Sequence, residues 1–115
     1  MSSEQREIAD GTLVVRMDRD GDSQVIALCG ELDLANAATA ERALDSCLED
    51  GASSVIVDMR ELEFIDSTGI ALLVAALGRD DADAKRVRFV PSASPAVSRV
   101  LELTGLAERL PLVDA

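Results

Sequence analysis

The 115-residue chain has the size of one domain, and 48% of it is hydrophobic, so it can bury a core without a disulfide or a metal. Its 22 acidic and 11 basic residues give a formal net charge of −11, which argues against binding to nucleic acids or membranes and favours partners with basic patches. Aromatic residues make up only 2%, so stacking on nucleic-acid bases is disfavoured as well.

The first half of the chain predicts a hairpin followed by a helix. Residues 1–10 are polar and are expected to be loose. The β-prone runs 13–15 and 25–28 flank a polar pentad that contains Asp-Gly, which is typical of a hairpin. Over residues 35–49 the apolar side chains fall on one helical face, and Gly51 is a suitable stop.

The middle of the chain predicts a buried strand and a second helix. Residues 55–57 form a short apolar run that suits a strand buried on both faces. After a connection over 58–66, apolar residues at helical spacing predict a helix that Gly78 closes. A charged loop is expected over 79–85.

The last part of the chain predicts one more strand and one more helix. The strand covers residues 87–90, and Ser94 followed by Pro95 predicts a helix start. Gly105 ends this helix, and residues 110–112 suit a short final edge strand. The order ββαβαβα predicts an α/β fold with a single mixed sheet and helices packed on it.

The absence of histidine excludes most familiar catalytic sites. Without it there is no Ser-His-Asp or Cys-His triad and no metal site that contains histidine. Isolated glycines provide no phosphate-binding loop. Asp58 ends a strand, as the acceptor of an aspartyl-phosphate receiver domain does. Such a domain also needs a lysine near the end of a late strand, whereas the single lysine here, Lys85, lies before its strand. We therefore predict that the chain is not an enzyme.

The remaining bulk features indicate an intracellular protein. Cys29 and Cys47 lie in apolar segments without a pairing pattern, which predicts buried, reduced thiols. Residues 1–11 do not form a secretory leader, and the longest apolar run, 70–77, is too short to cross a bilayer. We expect a soluble, cytoplasmic protein.

The segment 64–69, Phe-Ile-Asp-Ser-Thr-Gly, places a hydroxyl where an irregular segment turns into a helix. Ser67 or Asp66 could be the helix N-cap. The same helix start also stabilises an anion, so a phosphate on Ser67 would be tolerated while adding about two negative charges to the surface. Gly69 either lets another chain approach Ser67 or allows close packing within the domain.

Three sequence blocks resemble the STAS-domain anti-sigma factor antagonists, also called anti-anti-sigma factors. Residues 58–70 match the pattern of an apolar strand ending in Asp, then Leu-x-Phe-x-Asp-Ser-Ser/Thr-Gly. Residues 30–33, Gly-Glu-Leu-Asp, resemble the turn that follows the second strand of the family. Residues 94–106 resemble its last conserved helix.

This resemblance implies one STAS domain over residues 1–115 and a partner-switching cycle. The unphosphorylated antagonist binds an anti-sigma factor that is also a serine kinase, and so releases a sigma factor. That kinase phosphorylates the serine after the aspartate, here Ser67, which abolishes binding, and a serine phosphatase resets the cycle. ATP and Mg²⁺ belong to the kinase, so the chain itself needs no cofactor and no metal.

The resemblance also assigns residues to the partner-binding surface. Asp66 helps to position the acceptor hydroxyl, and Glu31 and Asp33 join the surface that binds the kinase. Thr68 is the competing acceptor, although the family pattern favours Ser67. The residues assigned to this surface are Glu31, Asp33, Asp66, Ser67, Thr68 and Gly69.

Other interpretations stay open. Glu31 and Asp33 also suit solvated turn carboxylates, with Asp33 as a cap of the first helix. Ser92, Ser94 and Ser98 suit a turn, a cap and a surface position. A STAS subunit of an ABC transporter or a stress-signalling complex that is never phosphorylated is the first rival. A small hydrolase or phosphatase is the second, and the missing histidine disfavours it.

Overall fold

The computed structural model describes residues 5–49, 53–82 and 86–113, without the side chains of 79–82 and 86. In chain order the elements are β1 (Arg6–Asp10), β2 (Leu13–Asp20), β3 (Ser23–Leu32), α1 (Ala37–Glu49), β4 (Ser54–Asp58), β5 (Leu62–Ile65), α2 (Ser67–Ala82), β6 (Arg86–Val90), α3 (Pro95–Leu103) and a 3₁₀ turn (Leu106–Glu108).

The strands form one mixed sheet, which confirms the predicted fold class. Its order is β1-β2-β3-β4-β6, with β1, β2 and β3 antiparallel and β4 and β6 parallel to their neighbours. β5 pairs in parallel with the carboxyl end of β3, beyond the segment that pairs with β4. The register shifts at Gly30, where φ is 96° and a Cβ would lie 2.0 Å from the backbone oxygen of Thr12, so only glycine fits.

The core lies between one face of this sheet and the helices. Alternate residues of β2 face this core and are fully or almost fully buried: Leu13, Val15 and Met17. β4 lies between β3 and β6, as predicted for a central strand. The predicted burial on both faces was wrong, because Val55 and Val57 are buried on the core face while Ile56 on the other face is only half-buried. Because only 2% of the residues are aromatic, the core around Phe89 is mainly aliphatic.

Two predictions of irregular structure were wrong, because the segments 1–10 and 58–66 each contain a strand. Arg6–Asp10 is an edge strand that pairs with β2, and its side chains are mostly exposed. Its polar sequence therefore carries no hydrophobic signal, while its backbone hydrogen bonds hold it in place. Leu62–Ile65 has only Leu62 and Ile65 buried, which is too short a pattern to recognise. Residues 1–4 lie outside the described residues.

The end of the second predicted helix was also wrong, since α2 continues through Gly78 to Ala82. A glycine inside a helix costs about 1 kcal/mol relative to alanine. Buried Leu72, Leu73 and Ala76 hold this helix on the core and outweigh that preference. The rest of the predicted loop, residues 83–85, lies outside the described residues, as does Gly51.

The other boundaries need smaller corrections. α1 begins at Ala37 rather than at residue 35, because residues 34–36 form a turn. The predicted final strand is a single bridge between Leu112 and Phe89. α3 starts and ends close to the predicted Pro95 and Gly105. None of the helices in the described part of the chain is long and apolar enough to span a membrane.

The two cysteines match their prediction. Cys29 and Cys47 are both buried, and neither forms a disulfide. Burial is the main cause that raises the pKa of the Cys29 thiol, and the nearby Arg16 guanidinium opposes it. A thiol with a raised pKa is a poor nucleophile at neutral pH, which disfavours a catalytic role for Cys29.

Candidate functional site

Two helix starts lie side by side at one edge of the sheet. β3 and β5 run parallel, and Leu32 pairs with Ile65, so the residues that follow, Asp33 and Asp66, leave the sheet next to each other. Each strand then turns into a helix, α1 or α2. In open α/β sheets the carboxyl ends of strands are the usual place for binding sites. The structure thus brings together the two sequence blocks that contain Glu31 and Ser67.

Asp66 is the residue that joins the two helix starts. Its Oδ1 accepts a hydrogen bond from the Gly69 N–H at 3.0 Å, and its carbonyl accepts the Ile70 N–H at 2.9 Å. These are the bonds of an N-cap residue. Its Oδ2 accepts the Leu34 N–H at 3.1 Å, from the turn before α1. Of the two candidates for the cap of α2, the structure therefore selects Asp66.

Ser67 is the first residue of α2, and its side chain is exposed. The side-chain hydrogen bonds of this turn are made by Asp66. Within the described residues, the Ser67 hydroxyl makes no hydrogen bond. Thr68 is half-buried and lies against the space between α1 and α2. Ser67 is thus the more accessible hydroxyl, at the end of the helix dipole that stabilises a negative charge.

Gly69 is buried beneath Ser67 rather than exposed beside it. A Cβ at this position would lie 2.6 Å from Ile65 Cγ1 and 3.0 Å from Leu32 Cγ. The first turn of α2 therefore packs directly on the ends of β3 and β5, which favours the close-packing interpretation of this glycine. Its assignment to the partner surface stays a prediction.

The turn before α1 is held by Asp33 and Asn36. Asp33 Oδ1 accepts the Ala35 N–H at 3.0 Å, and its carbonyl accepts the Ala37 N–H at 2.9 Å. The Asn36 side chain is 3% exposed; its Oδ1 accepts the Asp33 N–H at 2.9 Å, and its Nδ2 donates to the Glu31 carbonyl at 2.9 Å. The Asp33 side chain therefore stabilises the turn before α1 through Ala35, which lies outside the helix, and the alternative of Asp33 as a side-chain cap of the first helix was wrong.

Asn36 is a residue that the sequence analysis missed. An asparagine directly before the first helical residue is a recognisable N-cap signal. In the structure the Asn36 side chain bonds back to the backbone of Asp33 and Glu31 rather than to the first turn of α1. These bonds depend on how β3 ends and carry no sequence signature. Because it binds both Glu31 and Asp33, Asn36 fixes the backbone from which both carboxylates project.

Glu31 lies at the rim of the site. Its side chain is exposed, and its carboxylate accepts a hydrogen bond from the Thr12 hydroxyl at 3.4 Å. Its backbone pairs with Phe64 of β5, which places it at the same end of the sheet as Ser67. Glu31, Asp33 and Asp66 therefore give the surface around Ser67 an acidic character.

Asp58 is occupied by a structural role. Its Oδ1 accepts the backbone N–H of Arg60 at 3.0 Å, and its Oδ2 accepts the Arg60 Nη2–H at 2.8 Å. Burial opposes ionisation of Asp58, but these hydrogen bonds and the charge of Arg60 together hold its pKa below the ordinary value. The carboxylate is engaged in the connection from β4 to β5, which disfavours its use as a nucleophile.

The arrangement suits a modified or bound surface better than a reaction centre. Both oxygens of Asp66 accept backbone hydrogen bonds, so it is poorly placed to activate Ser67 as a base. In the described part of the chain, no group of three His, Cys, Asp or Glu side chains could hold a metal ion. What the site offers is an exposed hydroxyl, a helix dipole and acidic neighbours.

Comparison with known proteins identifies the family of this chain. The family model described as "Mlab, STAS domain" matches residues 15–114. The anti-sigma-B factor antagonist of Staphylococcus aureus (strain NCTC 8325 / PS 47) is 29% identical over 79 residues, which cover 69% of this chain and 72% of that protein.

Two solved structures show the likeness in three dimensions. An anti-sigma factor antagonist from Mycobacterium paratuberculosis is 24% identical, with a TM-score of 0.81 over 93% of this chain and 90% of that chain. The Bacillus cell fate determinant SpoIIAA in its phosphorylated form is 23% identical, with a TM-score of 0.62 over 99% of this chain and 91% of that chain. At such identities, these likenesses show the fold alone.

Proposed function

This chain belongs to the STAS domain family, and we propose that it acts as an anti-sigma factor antagonist. In the unphosphorylated form it binds an anti-sigma factor that is also a serine kinase, and the sigma factor held by that kinase is released. Phosphorylation of Ser67 ends the interaction, and a serine phosphatase restores it. The kinase supplies ATP and Mg²⁺, and this chain supplies the acceptor and the docking surface.

The observation that carries the proposal is that Asp66, and not Ser67, makes the capping hydrogen bond of α2. Asp66 caps α2, so the Ser67 hydroxyl is exposed and a phosphate on it breaks no hydrogen bond of the turn. The helix start also favours the added charge. The domain is therefore expected to stay folded when it is modified. The phosphorylated form known for SpoIIAA, which shares this fold, supports the same role.

The size of the switch places Ser67 inside the binding footprint. Moving a complex from mostly bound to mostly free takes about 5.5 kcal/mol of differential binding free energy. Charge repulsion at an exposed rim supplies about 1 kcal/mol, which is too little. A phosphate buried against the partner adds steric bulk and the loss of its hydration. We therefore place the kinase directly over Ser67, with Glu31, Asp33, Asp66 and Thr68 around it.

Phosphorylation by purified kinases tests the proposal. Each anti-sigma factor kinase of the source organism is incubated with the chain and Mg-ATP, and intact-mass and peptide mass spectrometry locate any phosphate. We expect one phosphate on Ser67 in the wild type and in Thr68→Val, and none in Ser67→Ala. Binding of a kinase without any phosphate transfer would favour the STAS subunit that is never phosphorylated. Absence of both would contradict the proposed function.

A further inference from the structure

An exposed leucine stands next to the acceptor. The side chain of Leu34 is 76% exposed, although leucine is usually buried. It lines a groove of about 340 Å³ between α1 and α2, whose other walls include Thr68 and Leu72. Small side chains on both helices, Ala38 and Ala71 among them, keep this groove open. An exposed leucine alone is common on protein surfaces, and what distinguishes Leu34 is that it continues into an open apolar groove that reaches Thr68.

The position of Leu34 is fixed by the same residue that caps α2. The Leu34 N–H donates to Asp66 Oδ2 at 3.1 Å, and the next residue, Ala35, donates its N–H to Asp33 Oδ1 at 3.0 Å. The backbone that carries this leucine is therefore ordered before any partner arrives. Ordering a contact in advance reduces the entropy lost on binding.

The charges around the groove indicate the chemistry of the partner. Of the described residues that line it, Glu41 is acidic and none is basic. Asp33 and Asp66 do not line the groove, but their carboxylates accept hydrogen bonds from the backbone of the turn that carries Leu34. A complementary surface therefore has an apolar side chain for the groove and basic side chains opposite its acidic rim.

We propose that Leu34 and the groove between α1 and α2 are the apolar docking site for the anti-sigma factor kinase, an inference that rests on the proposed function. An amphipathic segment of the kinase seats an apolar side chain in the groove and sets basic residues against Glu41 and Asp33. Because the groove reaches Thr68, a segment bound there lies directly beside Ser67. Docking then holds the acceptor in reach of the kinase active site.

This arrangement separates two contributions to affinity. Burial of Leu34 is an apolar contribution and responds little to salt. The acidic rim acts through charge and weakens as the salt concentration rises. Loss of Leu34 should therefore lower the affinity at every salt concentration, whereas loss of Glu41 should reduce the salt dependence itself.

Titration calorimetry with the purified cognate kinase, in the absence of ATP, tests the inference. Leu34→Ala should weaken binding by about 10- to 100-fold at low and high salt, as expected for an apolar side chain that becomes buried. Leu103→Ala, which removes a leucine that is 75% exposed on α3, is the matched control and should not change the affinity. Glu41→Gln should bind with a flatter salt dependence. Thermal unfolding should leave the melting temperature of Leu34→Ala near that of the wild type.

The outcomes are distinct. If wild type and Leu34→Ala bind the kinase equally well, the docking site is overturned and the proposed function stands. If no anti-sigma factor kinase of the source organism binds or phosphorylates the wild type, both fail. If analytical ultracentrifugation shows that the wild type is a dimer and Leu34→Ala a monomer, the groove is an interface between two copies of the chain, and the inference is overturned. With Mg-ATP, Leu34→Ala should raise KM for phosphorylation and leave kcat unchanged.

Discussion

Two helices of this domain begin beside a serine, and the two serines have different uses. At α2, Asp66 makes the capping hydrogen bond, and the hydroxyl of Ser67 is exposed. At α3, Ser94 occupies the N-cap position, but its hydroxyl makes no cap bond and donates instead to the Glu63 carbonyl at 3.3 Å. Ser92 donates to the Leu62 carbonyl at 2.7 Å and accepts the Ser94 N–H at 2.9 Å.

The comparison shows what makes a hydroxyl available for modification. The serines at α3 tie the helix to β5, so a phosphate on either one would disrupt bonds that hold the sheet edge. Ser67 is available because a neighbouring carboxylate performs the capping task. A serine at a helix start is therefore a candidate acceptor when a second residue caps the helix.

The largest effect is expected from a negative charge at Ser67, compared with the same charge at Ser94. Ser67→Asp should weaken kinase binding by about 100-fold or more, since the charge lies within the footprint. Ser94→Asp, with the same change of charge at α3, should leave the affinity unchanged. Titration calorimetry of both variants against one kinase measures the contrast. Equal losses for the two would mean that net charge alone controls binding.

Removal of the cap should have the next largest effect, and on stability. Asp66→Ala loses the bonds to the Gly69 and Leu34 N–H groups, and should lower the free energy of unfolding by about 2 kcal/mol. For a domain of this size the melting temperature falls by about 8 °C. Ser67→Ala should stay within about 0.5 kcal/mol of the wild type. Urea unfolding compares them, and a matching loss in Ser67→Ala would show that the serine shares the capping work.

A smaller loss is expected at the start of α3. Ser92→Ala removes two hydrogen bonds of a half-buried hydroxyl and should lower the free energy of unfolding by about 1 kcal/mol. The rate of phosphorylation at Ser67 should not change. Urea unfolding and a kinase assay on the same preparation test both parts. A fall in phosphorylation rate without a change in stability would contradict the claim that Ser92 acts on stability alone.

The smallest effect concerns the pH dependence of stability. The lowered pKa of Asp58 stabilises the fold at pH values above the ordinary aspartate pKa, and this contribution is lost as the pH falls through the folded-state pKa. Arg60→Gln removes the positive charge that pairs with Asp58, so the variant should be less stable than the wild type at neutral pH. The difference should shrink once acid protonates Asp58 in both proteins. Urea unfolding from pH 7 downward measures it; a constant difference would show that the charge of Asp58 is not involved.

The residues that could be predicted from the sequence are those with a periodic or local signal. The apolar spacing of α2 and the buried run of β4 gave both elements, and the Ser67 position followed from a helix start. The polar β1 and the short β5 could not be found, because backbone pairing with β2 and β3 holds them. The roles of Asn36 and Leu34 also stayed hidden. The position of Leu34 depends on the parallel pairing of β3 and β5, which sets two distant turns side by side. The Asn36 side chain bonds to the end of β3 and to the turn that follows, and the shape of that turn carries no sequence signature.

The most direct test compares the chain that carries one phosphate on Ser67 with the same chain unmodified. Titration calorimetry with the cognate kinase and thermal unfolding are run on both forms. The account predicts tight binding for the unmodified chain, no detectable binding for the phosphorylated chain, and melting temperatures that differ by only a few degrees, about the shift of a small local change in stability. Equal affinity of the two forms, or loss of binding together with unfolding of the domain, would contradict it.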